Sequence, residues 1–145
     1  MMLYLDTSAL VKRYVAEAGS EAVNAWIDAA EVLTTGLLTR AELAASVTRL
    51  SRMKLMEPAE AQRVLGIFRD EWESLLRLPV TETTVQRADR LACQHGLRGY
   101  DAVHLATALI WRETTKQSIH LATYDRLLWQ AARAEGISVL PESLV

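Results

Sequence analysis

Short apolar runs alternate with longer helix-period stripes along the whole chain, and that alternation leaves few folds open. Leu3-Tyr4-Leu5, Val32-Leu33-Thr34, Leu78-Pro79-Val80, Ser118 to Ala122 and Ile137 to Leu140 read as strands. Pro79 makes the third short or peripheral, because proline donates nothing to a ladder. Between the runs lie helical stripes. Val11, Val15 and Ala18 predict a first helix closed by Gly19, and Ala22, Val23, Trp26, Ile27 and Ala30 a second. Thr39 opens a helix carrying Leu43, Val47 and Leu50. Pro58 opens the clearest stripe, Ala61, Val64, Leu65, Phe68, Trp72, Leu75 and Leu76. Helices follow over Val85 to Ala92, ending near Gly96, from about Tyr100 to Ile110, and over Leu127 to Ala132, stopped by Gly136. Strands separated by helices imply an α/β fold: three layers, with helices on both faces of a central parallel sheet of four to five strands.

The 145 residues set the expectation of one domain over residues 1–145, without linker, repeat or low-complexity segment. No apolar stretch approaches the ~20 residues of a membrane span, and the start of the chain lacks the pattern of a signal peptide. A single cysteine, Cys93, excludes a disulfide framework and a cysteine-based zinc site, and reads as buried filler. These features fit a cytoplasmic protein. The net charge of −2 provides no global basic field for nucleic acid.

In parallel sheets covered on both faces, ligands bind beyond the carboxyl ends of the strands, where strand order switches. Asp6 stands at such an end, followed at once by Thr7 and Ser8. Glu42 lies in Thr39-Arg40-Ala41-Glu42, the pattern of a capping box. Asp101 lies in the first turn of a helix, and Asp125 just past the fourth strand, behind Thr123. Each acid has a structural reading as a cap or as a partner of the helix dipole. Helices starting on one side of the sheet would aim all four at one edge. Clustered carboxylates need protons, a cationic side chain or a metal to coexist, and oxygen-only donors suit Mg²⁺ or Mn²⁺. Thr7, Ser8 and Thr123 then serve as hydroxyl donors orienting the carboxylates.

The stretches LDTSALVKRY, LTRAELAASVTRL, LRGYDAVHLATAL and LATYDRLLWQAA resemble, in order and over essentially the whole chain, the four motifs of the PIN-domain ribonucleases, and more narrowly the VapC-type toxins of toxin–antitoxin pairs. The first and third are the most specific. The resemblance implies an endoribonuclease dependent on Mg²⁺ or Mn²⁺. It implies metal-binding and catalytic roles for Asp6, Glu42, Asp101 and Asp125, with Asp125 completing the acidic pocket, often through water. The expected chemistry is in-line attack of an activated water on an RNA phosphodiester, leaving a 5′-phosphate and a 3′-hydroxyl. The resemblance also implies a homodimer and an antitoxin partner.

Arg40 and Arg98 border the expected site and are the candidate RNA-phosphate contacts; Lys12, Arg13, Arg49, Arg52 and Lys54 read as solvated helix faces. His104 shares a helical face with Asp101 and reads as structural, and Trp26, Trp72, Trp111 and Trp129 as core. Two alternatives stand beside the nuclease. One is an aspartate-nucleophile phosphatase built on Asp6, which lacks the second acid that chemistry wants where Ser8 stands. The other is a non-catalytic protein-binding domain whose acids only cap helices.

Overall fold

Successive residues of a strand point to opposite faces, and the first strand shows what each face meets. In the computed structural model, which describes residues 1–144, β1 spans Met2–Leu5. Leu3 and Leu5 enter one apolar core and Tyr4 the other, all fully buried. The first core is closed by α1 (Thr7–Tyr14), α2 (Ser20–Ala29), α3 (Thr39–Arg52) and α4 (Pro58–Glu71), through Leu10, Val23, Leu43, Val64 and Phe68. The second is closed by α5 (Glu82–His95), α6 (Gly99–Thr115) and α7 (Arg126–Ala134), through Leu91, Leu105, Leu109 and Leu128. The result is three layers, α/β/α.

β2 (Val32–Gly36), β3 (Leu76–Leu78), β4 (His120–Ala122) and β5 (Ser138–Leu140) complete the sheet. Every pairing is parallel and the order is β3-β2-β1-β4-β5. The chain therefore leaves β1 toward β2 on one side and returns to it as β4 on the other. That is the switch in strand order, and it falls at the carboxyl ends of β1 and β4. Among the described residues no helix is long and apolar enough to cross a membrane.

Several local expectations need correction. The first helix stops at Tyr14, with Val15 already extended; Gly19, at φ 93°, instead opens α2. A side chain there would meet the left-handed backbone penalty and lie 2.8 Å from the Tyr124 hydroxyl. The long stripe breaks at Glu71 into a 3-10 turn, Trp72–Ser74, which still buries Trp72. The third strand is Leu76–Leu78 and ends before Pro79, so the proline is spared a place in the ladder. Cys93 is exposed, two residues beyond Leu91 and hence off the core face of α5. Trp72, Trp111 and Trp129 are core, while Trp26 is half-buried and stacks on Tyr124.

Candidate active site

Asp6 is the first residue past β1 and caps α1, its Oδ1 accepting the Ala9 amide at 3.0 Å. It is 2 % exposed. Ser8 Oγ donates to Oδ1 at 2.7 Å and Thr123 Oγ1 to Oδ2 at 2.7 Å. Burial pushes the carboxyl above its usual range; the charge of His104 and the bonds from Thr123, Ser8 and Ala9 offset this only in part.

Glu42 sits in the first turn of α3, but the expected capping box does not form. Leu38 occupies the cap position with no side-chain bond. Thr39 is already the first residue of the helix, and its buried hydroxyl meets Thr35 Oγ1 at 2.8 Å instead of the helix-start amides. Glu42 Oε1 receives Thr7 Oγ1 at 2.8 Å and His104 Nε2 at 2.6 Å. Burial alone would raise this carboxyl, yet the bond and charge of His104, with Thr7, bring it below its ordinary value. His104 responds in kind. Burial pulls it down, but the bond to Glu42 and the charges of Asp6, Glu42 and Asp101 outweigh this and raise it. Its Nε2 lies 2.6 Å from Glu42 Oε1 and its Nδ1 2.7 Å from the Tyr4 hydroxyl, so both ring nitrogens are engaged.

Asp101 lies in the first turn of α6 and Asp125 caps α7, its Oδ1 accepting the Leu128 amide at 2.9 Å. One guanidinium joins them: Arg98 Nε lies 3.2 Å from Asp101 Oδ2, and its terminal nitrogen 2.7 Å from Asp125 Oδ2. Burial, then the charge of Asp125, raises the Asp101 carboxyl against the pull of Arg98.

Asp6, Glu42, Asp101 and Asp125 all line one cavity of about 340 Å³ at the strand-order switch, together with Thr7, Ser8, Arg98 and His104. Arg40 is not brought there; its guanidinium lies over the Trp72 ring, 5.9 Å from the centroid. Lys12 and Arg13 pair with Glu17 and Glu71. His104 is the member that sequence reasoning passed over as merely structural. Its place three residues after Asp101 on one helical face was the available signal.

The donor set fits a hard cation. It is all carboxylate, and the one imidazole has both nitrogens engaged. Glu42 Oε2 and Asp101 Oδ1 take no hydrogen bond among the described residues, while the opposite oxygen of each is held. As the side chains stand, no three His, Cys, Asp or Glu groups among the described residues form a ready cage; Arg98 holds two of the carboxylates instead.

The PIN domain family model matches residues 3–134. Ribonuclease VapC45 of Mycobacterium tuberculosis (strain CDC 1551 / Oshkosh) is 32% identical over 143 residues, covering 99% of this chain and 97% of that protein. A toxin-antitoxin complex from Klebsiella pneumoniae contains a chain of like fold, with a TM-score of 0.70 at 15% identity and full coverage of both chains. PAE2754 from Pyrobaculum aerophilum superposes with a TM-score of 0.66 at 23% identity, over 97% of this chain and 90% of that one.

Proposed function

The chain belongs to the PIN-domain family, in its VapC ribonuclease branch, and we propose on that premise that it is an endoribonuclease and the toxin of a type II toxin–antitoxin pair. The observation that carries this reading is the meeting of Asp6, Glu42, Asp101 and Asp125 in one cavity at the strand-order switch. A role confined to helix capping accounts for Asp6 and Asp125, which each give an oxygen to a helix amide, but not for Glu42, which caps nothing.

In this reading Asp6, Glu42 and Asp101 would hold Mg²⁺ or Mn²⁺, and Asp125 would orient the attacking water or a second such ion. The cation, when bound, supplies Lewis acidity that activates water and offsets charge on the scissile phosphate. Thr7 fixes Glu42, while Ser8 and Thr123 fix Asp6, so that these two carboxylates are already oriented in the cavity. Arg98, at the rim, contacts an RNA phosphate. The products are a 5′-phosphate and a 3′-hydroxyl. The same proposal includes a cognate antitoxin, a homodimer, a cytoplasmic place of action and one functional domain over residues 1–145. The Klebsiella neighbour, itself part of a toxin-antitoxin complex, supports the antitoxin.

The test is cleavage of a defined pool of structured RNAs by purified protein with Mg²⁺, with Mn²⁺ and with EDTA, beside Asp101→Asn protein purified identically. Metal-dependent cuts that vanish in the variant are expected. Equal cleavage by both proteins would show a contaminant or a wrong assignment of Asp101.

A further inference from the structure

We propose that Arg98 is a built-in counter-ion, which bridges Asp101 and Asp125 until a cation binds and competes with that cation for both carboxylates. The inference rests on reading the acidic cavity as a cation site. Arg98 is the residue just before α6, and its guanidinium spans two elements, from Asp101 in α6 to Asp125 at the head of α7. Those two contacts are its only side-chain hydrogen bonds among the described residues. Its side chain is 77 % exposed, so nothing in the core holds it in place.

Three physical points follow from this placement. Asp101 and Asp125 present their Oδ2 atoms to one guanidinium, 3.2 Å and 2.7 Å from its nitrogens, and two carboxylates so close repel. A cation between them relieves this repulsion, and Arg98 supplies it. An exposed ion pair is weak and reversible, so release of the side chain leaves the fold intact. A divalent ion brings twice the charge to the same carboxylates and displaces the guanidinium, which is then free at the cavity rim. Cation affinity is thereby lowered by an internal competitor, and cation binding itself frees the positive group nearest the site.

Calorimetric titration of the full chain with Mn²⁺ tests this, comparing the unchanged protein with Arg98→Gln, Arg98→Lys and Asp101→Asn at one ionic strength. Arg98→Gln should bind Mn²⁺ at least about fivefold more tightly than the unchanged chain. Arg98→Lys, which keeps the charge but lacks the fork that reaches two carboxylates, should fall between. In EDTA, Arg98→Gln should melt at a lower temperature, since the two carboxylates lose their shield. Equal affinity for the unchanged chain and Arg98→Gln, with binding weakened in Asp101→Asn, overturns the counter-ion role and leaves the cation site standing. Absence of Mn²⁺ binding in every chain overturns the cation site and this inference together. Should Arg98→Gln not fold, the comparison with Arg98→Lys decides in the same way.

Discussion

His104 Nε2 stands 2.6 Å from Glu42 Oε1, across 62 residues of sequence, and ties the acid of α3 to the helix that carries Asp101. The imidazole is 2 % exposed and gripped on its other edge by Tyr4 Oη at 2.7 Å. Both His104 and Thr7 fall on Oε1, so Glu42 is fixed through one oxygen while the other has no protein donor among the described residues. His104 acts as a positioning residue. Replacing it with Ala leaves Thr7 alone on Glu42 and strands the Tyr4 hydroxyl in the core. Cation affinity and cleavage rate should each fall about 10–100-fold, and stability by about 1–3 kcal/mol. Urea unfolding beside initial cleavage rates checks both. Lost stability with an unchanged rate would reduce His104 to packing.

Gly36 supports the same chain of contacts from behind. A Cβ at Gly36 would lie 2.8 Å from Tyr4 Oη, and Tyr4 is fully buried, so the ring cannot step aside cheaply. Gly36→Ala should cost about 1–3 kcal/mol through overpacking. Tyr4→Phe removes the atom in conflict, so the glycine substitution should cost clearly less in the Phe background. A double-mutant cycle by chemical denaturation measures the coupling. Additive costs would mean that the Tyr4 hydroxyl is not what Gly36 accommodates.

What could be read from the chain alone was what is local. Asp6, Asp101 and Asp125 each sit where a strand ends or a helix begins, and periodicity locates such points. The pairing of His104 with Glu42 has no local trace, since it depends on which helices the sheet order brings together, and a run of apolar residues does not encode its neighbours. The capping box at Thr39 failed for a related reason. Thr35, at the end of β2, claims the Thr39 hydroxyl from outside the helix. A true box forms at Thr81 and Thr84, where the third position holds a hydroxyl rather than the expected acid. Arg98 was legible as a neighbour of the site because it precedes Asp101 by three residues. That it also reaches Asp125 depended on α7 starting beside α6.

Tyr14 gives the chain a signature at alkaline pH. Its ring packs edge-on against Phe68 at 5.3 Å, and burial, then the charge of Glu71, pushes its hydroxyl up to about 12. The unfolded chain loses this proton near the ordinary value of 10.0 while the folded chain keeps it. Above that value the folded state binds more protons, so stability falls as pH rises toward the folded pKa. Tyr14→Phe lacks this loss. The stability of the unchanged chain relative to Tyr14→Phe should decline between about pH 9 and about pH 11, measured by urea unfolding at both. A constant difference would show that Tyr14 titrates alike in both states.

Thr123 joins two of the acids through one hydroxyl. Its Oγ1 donates to Asp6 Oδ2 at 2.7 Å and accepts the Asp125 amide at 3.0 Å, with the residue fully buried. A hydroxyl suits this place because it donates once and accepts as well. Thr123→Val keeps the shape and removes the hydroxyl, leaving a buried carboxylate short of a donor and a half-buried amide without its partner. The expected cost is about 1–3 kcal/mol of stability, with cleavage and Mn²⁺ affinity down about 10–100-fold. Thr123→Ser retains the hydroxyl and should recover both activity and cation binding, although it gives up a methyl from the core. Cleavage assays and Mn²⁺ titration on the pair separate the two contributions. Equal activity in the Val and Ser variants would show that the hydroxyl is not what the site requires, and that Ala9 and Ser8 suffice to hold Asp6 in place.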